Sequence, residues 1–387
     1  MSTVLRWAVV TVVTIHGLIH LMGAAKGFGW ARINQLTEPI GTAGGVAWLA
    51  AAALVLTAAG TIALRARTWW LITTVAAVAS QSAIATSWAD AKAGTAANAI
   101  MLLAAGYGYA AHGPRSFQAE YTRRMHAALA EQPAKNGVVT AADLTHLPPP
   151  VADHVRRCGA VGQPRVANFR ATIHGRIRSG PSKPWMPFAG EQFNTYGPHP
   201  RRLFHIQASM SGLPADVLHV YADNTATMRV NVCSLLPIIN AAGPDMDRGE
   251  TVTVFNDLCV LAPAALVDAP IRWQVLDEHH VRGTFTQDGQ TVSAVLVFND
   301  AHDLVDFISN DRLRASPDGR SFTRQRWSTP IHTHRNLGPW RTCTDGEAHW
   351  HAPEPENEFP YLEYHLDDIT YNTGMHRSPR GQQVAAT

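Results

Sequence analysis

Cysteine is scarce. The chain has four, Cys158, Cys233, Cys259 and Cys343, in 387 residues. None forms a CxxC pair, which excludes a zinc ribbon or a thioredoxin-type motif. Isolated cysteines of this kind are read as small buried apolar residues. There is no glycine-rich phosphate loop, no HExxH and no GxSxG elbow, so the recognisable nucleotide, zinc-protease and serine-hydrolase patterns are missing. Charged residues make up 16% of the chain and the formal net charge is +2, with no dense basic stripe. Nucleic acid is therefore not expected as a partner, and neither a metal nor a cofactor is expected.

Carboxylates are almost absent from the first 112 residues. Of 30 in the chain, only Glu38 and Asp90 lie there. That segment is rich in Ala, Val, Leu, Ile and Trp, and the mean hydropathy of -0.08 averages it with a polar remainder. Four apolar spans are expected at about 4–25, 42–63, 68–88 and 95–112, each long enough to cross a ~30 Å hydrocarbon core. The first is too long for a signal-peptide apolar region and lacks a small-residue cleavage site. Arg65, Arg67, Trp69 and Trp70 fit an interface anchor. Arg6, Arg65, Arg67, Arg115, Arg123 and Arg124 fall on one side, and Lys26, Arg32 and Lys92 on the other. The richer side is expected to be cytoplasmic, with both termini and the C-terminal domain.

Within the spans, His16 and His20 are four residues apart and share a helix face. Lys26, Glu38, Asp90, Lys92 and Asn98 fall toward the same leaflet. Ionisable groups at membrane depth are costly and mark a pathway or a site. The plainer alternative is that the histidines hydrogen-bond neighbouring helices and fix the bundle.

Residues 113–146 read as a juxtamembrane helical arm, closed by Leu147-Pro148-Pro149-Pro150 as a boundary. A short helix with Val151, Val155 and Cys158 follows. From residue 165 to 178 apolar and polar residues alternate with a period of two. Further strands are expected at 191–196, 201–210, 216–223, 226–232, 271–276, 281–286, 290–298, 303–310, 321–335, 340–351 and 361–371. Asp288-Gly289, Asp318-Gly319 and Asp345-Gly346 read as hairpin turns. One helix interrupts the strands near 247–262, with Asp247 and Glu250 as a capping pair. The expected fold class is a four-span helical bundle followed by an antiparallel β domain over 147–375. That domain would be a curved sheet or half-barrel plugged by the helix, ahead of a disordered tail at 376–387.

The run Lys183-Pro184-Trp185-Met186-Pro187-Phe188-Ala189-Gly190-Glu191-Gln192 resembles a stretch of an uncharacterised bacterial domain family. So do Arg248-Gly249-Glu250, Pro263-Ala264-Ala265-Leu266, Ile271-Arg272-Trp273 and Gly346-Glu347 to Trp350. His16-Gly17-Leu18-Ile19-His20, Lys26-Gly27-Phe28-Gly29, Gln35-Leu36-Thr37-Glu38-Pro39 and Ser87-Trp88-Ala89-Asp90-Ala91-Lys92 resemble a membrane module that accompanies it. The resemblance implies an architecture and no activity. The β domain is similar to the half-barrel of Lol-type lipoprotein carriers, which implies an apolar concavity.

His332, His334, His349 and His351 invite a metal reading. Whether Asp345-Gly346 is a turn or a bulge, the two pairs are separated, so surface residues are expected. Trp185, Glu191 and Trp273 are the candidate ligand-binding residues of the β domain. Three readings follow. The first is a membrane-anchored module that binds or transfers a lipid or other apolar molecule. The second is a membrane-embedded enzyme or transporter using His16, His20, Asp90 and Lys92. The third is a structural scaffold. The bilayer is the partner common to all three.

Overall fold

The computed structural model describes residues 3–133, 135, 137–287, 289–316 and 319–374. It opens with helices α1 (Thr3–Gly27), α2 (Thr42–Ala63), α3 (Trp69–Ala85), α4 (Trp88–Ala91) and α5 (Gly94–His112). Small residues let the first two approach closely. A Cβ on Gly27 would stand 2.5 Å from the Gly45 backbone, so the crossing requires glycine there. By length and composition, among the described residues, α1 and α2 alone are long and apolar enough to cross a membrane. Helix α3 is apolar but has 17 residues. In α5, Asn98, three glycines and two tyrosines dilute the apolar run. The four spans expected from sequence thus reduce to two on this criterion.

Helix α6 (Phe117–Glu131) and α7 (Pro149–Arg157) follow. Pro149 and Pro150 open α7, in first-turn positions where no amide hydrogen is needed.

Strands β1 (Asn168–Ile177), β2 (Met186–Thr195), β3 (Arg201–Met210), β4 (Leu213–Ala222), β5 (Thr225–Val232) and β6 (Leu236–Ala242) form a meander. Helix α8 (Pro244–Val260) comes next. Then follow β7 (Ile271–Val275), β8 (His280–Gln287), β9 (Gln290–Phe298), β10 (Leu304–Ser309), β11 (Leu313–Ala315), β12 (Phe322–Arg324), β13 (Arg326–Ser328), β14 (Ile331–Leu337), β15 (Trp340–His351) and β16 (Glu358–Tyr371). The large antiparallel sheet runs β6-β5-β4-β3-β2-β1-β16-β15-β13-β10-β9-β8-β7, with β14 also on β15 and β11–β12 apart. First and last strands therefore meet at its centre, paired from Phe169↔Tyr371 to Ile177↔Leu362. Helix α8 carries the chain from one edge of the sheet to the other.

The chain divides into two compact units. One is Met1–Glu120 with Gly212–Pro214 and Val232–Leu236, and the other is Tyr121–Ser211, Ala215–Asn231 and Pro237–Thr387.

Several expected boundaries shift for local reasons. The strand expected at 321–335 is three, β12, β13 and β14. Pro330, which has no amide hydrogen to donate to a ladder, stands between the last two. Asp345-Gly346 is no turn but lies inside β15. Its glycine serves close approach, because a Cβ would meet the Tyr364 hydroxyl at 2.8 Å and the Pro330 carbonyl at 2.9 Å. Asp288, Asp318 and the tail at 376–387 lie outside the described residues. The expected capping pair is not one. Gly243 caps α8 without a side-chain bond, the Asp247 carboxylate accepts from the Ala226 amide, and Glu250 is buried among cations.

Candidate functional site

Every residue of α8 from Gly249 to Val260 is buried, so the helix has no wet face. One side is apolar: Phe255 stacks on Phe285 of β8 at 5.3 Å and meets Phe307 of β10 edge-on at 5.1 Å. The other side is ionic. Asp257 accepts from Gln192 Nε2 at 2.7 Å, Asn194 Nδ2 at 3.0 Å and Arg202 Nε at 2.6 Å. Two turns back, Glu250 is 0% exposed and lies 3.1 Å from the Arg312 guanidinium and 3.3 Å from both the Arg202 guanidinium and His219 Nε2. Strands β2, β3 and β4 thus hold the helix from one half of the sheet and β8 and β10 from the other.

The charges balance inside this network. Burial pushes the Glu250 carboxyl up, but His219, Arg312 and Arg202 overcome it and pull its pKa down to about 2. Burial also drives His219 down to about 4, so at neutral pH the imidazole is uncharged and the two guanidiniums hold Glu250. Asp257 is raised, because burial outweighs Arg202 and Asn194. Two carboxylates against two guanidiniums leave the buried cluster neutral, the condition under which buried ions are tolerated.

Beside the apolar part of α8 is a cavity of ≈ 450 Å³, within the ~300–1,000 Å³ range of small-molecule pockets. Val254 and Leu258 of α8, Ala265 and Phe285 give it apolar walls, and Tyr196, Pro198, Pro200 and Pro270 line it further. Polar groups are also part of the lining: Lys135 with its ion pair to Asp268 at 3.1 Å, and Gln287, whose amide donates to the Pro198 carbonyl at 2.7 Å. An apolar interior with a few polar groups suits an amphipathic molecule.

The helices bring three of the expected site residues together. His16 Nε2 lies 2.9 Å from Ser80 Oγ and 3.1 Å from Asn98 Oδ1, and His20 Nε2 lies 2.7 Å from the same Ser80 hydroxyl. Asn98 Nδ2 donates to Gln81 at 2.9 Å, joining α1, α3 and α5. Lys26, Glu38 and Asp90 belong to a separate loop arrangement. The Lys26 ammonium donates to the carbonyls of Leu36 and Glu38, and Asp90 accepts from the Thr37 hydroxyl and the Thr37 and Glu38 amides. The Thr37 hydroxyl first, then the Glu38 amide, hold the Asp90 carboxyl below its ordinary range. Lys92 is exposed.

In the β domain, Trp185 lies under Arg178 at 4.4 Å and Arg176 at 4.7 Å. Glu191 pairs with Arg170 at 2.8 Å. Trp273 packs at the edge of the core. None of these lines the cavity. No group of three metal-ligating side chains occurs among the described residues. His349 instead bridges Glu347 at 2.6 Å and Glu358 at 2.9 Å.

Sequence reasoning missed the ionic cluster. In the sequence Arg202 and His219 read only as strand residues, and Glu250 reads as a cap. The one signal was Glu250 and Asp257 seven residues apart, hence on one face of the expected helix.

Residues 137–364 match the family of unknown function DUF6544. All the β-domain motifs quoted above lie inside that match, and those of the membrane module lie outside it. No curated protein matches the chain. Among solved structures it is similar to a putative outer membrane lipoprotein-sorting protein domain from Vibrio parahaemolyticus, with 10% identity, 55% of this chain and 88% of that one covered, and a TM-score of 0.31. A DUF1329 family protein from Desulfovibrio piger has 9% identity, coverages of 62% and 96%, and a TM-score of 0.32. LprF from Mycobacterium bovis has 9% identity, coverages of 62% and 97%, and a TM-score of 0.22.

Proposed function

The chain belongs to the DUF6544 family, and from that premise we propose that it is a membrane-anchored module whose β domain, a half-barrel plugged by α8, binds an apolar or amphipathic molecule such as a lipid. The observation that carries this is the ≈ 450 Å³ cavity walled by Val254, Leu258 and Phe285. The ionic cluster supports it by tethering α8 to β2, β3 and β4, which fixes Val254 and Leu258, about one and two turns beyond Glu250, as part of the cavity wall.

Membrane anchoring draws support from the inverted polarity of the helices. Ile15, Leu18 and Ile19, Leu49, Leu71, Val75 and Val78, and Leu102 and Leu103 are exposed, whereas His16, His20, Thr73, Ser80 and Asn98 are buried. A water-soluble bundle has the opposite arrangement, and a bilayer demands this one. On this reading α1, α2, α3 and α5 all cross, and the surplus of basic residues puts both termini in the cytoplasm. Reporter domains active only in the cytoplasm, fused to either terminus, test the orientation; inactivity at both ends would reverse it.

Organic extraction of the purified full-length protein tests the binding reading. One class of apolar molecule should appear in a fixed ratio to protein across preparations. Extracts that hold only the purification detergent and bulk lipid in proportion to the membrane used would defeat it.

The second reading, chemistry or transport within the helices, is favoured by one observation, the convergence of His16, His20, Ser80 and Asn98. Asp90 and Lys92 take no part in those bonds, and no hydrogen bond among the described residues joins either imidazole to a carboxylate as an acid–base pair. The same four residues suffice as polar contacts that fix helix packing.

A further inference from the structure

We infer that the two hairpin tips joining β3 to β4 and β5 to β6 form a lipid-contacting surface that enters the interfacial zone of a phospholipid bilayer. The inference rests on the membrane-anchored reading above. Both turns are tight and twisted. Ser211 and Gly212 have φ of +50° and +82°, and Cys233 and Ser234 have +52° and +57°, the left-handed pairs of two-residue hairpin turns. The Cys233 amide donates to the Pro214 carbonyl at 2.7 Å, so the tips are joined side by side.

What they carry is unusual for turns. Leu213 is 51% exposed, Leu235 55%, Leu236 63% and Ile238 45%. Turns in water are ordinarily built from polar residues. Scattered exposed aliphatics need no explanation, but four large ones gathered on adjoining tips do. Residues 226–243 contain no carboxylate and a single charged side chain, Arg229, and residues 203–215 contain no carboxylate. An apolar tip without negative charge suits the acyl–headgroup boundary and meets no repulsion from anionic lipid.

The occupant is lipid rather than a protein partner for two reasons. Gly212–Pro214 and Val232–Leu236 belong to the same compact unit as the helices, whose outward residues are aliphatic. Pro237 stands at the start of β6, the edge strand, where its missing amide hydrogen discourages another strand from pairing.

The tip supplies its own probe. Cys233 is half-buried whereas Cys158, Cys259 and Cys343 are buried, so a thiol-reactive bimane should label the full-length protein at Cys233 and fail to label Cys233→Ser. With the labelled chain in phosphatidylcholine vesicles, doxyl-phosphatidylcholine should quench the bimane at least twofold more than aqueous iodide does. Leu235→Ser with Leu236→Ser should reverse that preference while leaving the circular-dichroism spectrum unchanged. A second label, at Leu18→Cys in the Cys233→Ser background, reports on α1. Lipid quenching at position 18 with iodide quenching alone at Cys233 would overturn this inference and spare the anchor. Iodide quenching at both positions would overturn the anchor and the inference with it.

Discussion

Arg202 is the side chain on which the β domain leans hardest. It donates to Asp257 at 2.6 Å and lies 3.3 Å from Glu250, both buried on α8. Replacing it leaves two buried carboxylates facing one guanidinium. Breaking a buried pair in this way costs about 3–5 kcal/mol. Arg202→Ala should therefore lower the thermal midpoint of the β domain by roughly 10 °C, read by calorimetry in detergent; a shift under about 2 °C would mean the cluster is solvated. His219 gives a pH signature. Its pKa is pushed down to about 4 from the ordinary 6.5 by burial. The unfolded chain thus takes up this proton before the folded one, so stability is full above pH 6.5 and falls as the pH drops toward 4. Glu250, held near 2, loses its contribution only between about 4.5 and 2. His219→Gln should flatten the decline in thermal midpoint between pH 6.5 and 4. An unchanged slope would assign that decline to other groups, such as buried His154, also near 4.

Among the elements, the helix crossing of α1 and α2 makes the sharpest demand on sequence. Gly27→Leu places a side chain where a Cβ already stands 2.5 Å from backbone, whereas nothing lies within 4 Å of a Cβ on Gly60. Overpacking costs about 1–3 kcal/mol, so Gly27→Leu should destabilise the protein in detergent and Gly60→Ala should not. Equal midpoints for the two would refute the close crossing. Elements with a strong period were legible: β3 and β9 run over the residues their alternation marks, and the expected helix at 247–262 is α8 shifted by three residues at its start. Features set by distant contacts were not. Gly346 looks like a turn residue because sequence cannot display the Tyr364 hydroxyl that excludes a Cβ there. Strand β6 escaped notice because its exposed aliphatics break the alternation. The histidine pair of α1 was legible from its spacing, but its partner Ser80, 60 and 64 residues away, was not.

At the scale of the whole molecule, two opposite solutions to burying charge lie in one chain. The helical part keeps hydrogen-bonded polar groups inside and aliphatics outside. The β domain sinks four ionised groups around α8 and balances them to neutrality. The central claim is that the space beside α8 exists to be filled by an apolar ligand. Native mass spectrometry of the full-length protein, compared with Leu258→Trp, tests it most directly, because the indole would occupy the cavity wall while the ionic cluster stays intact. The account predicts a discrete added mass on the wild-type protein that is absent from the variant, with matching circular-dichroism spectra for both. No added mass on the wild type, or the same added mass on Leu258→Trp, would contradict it.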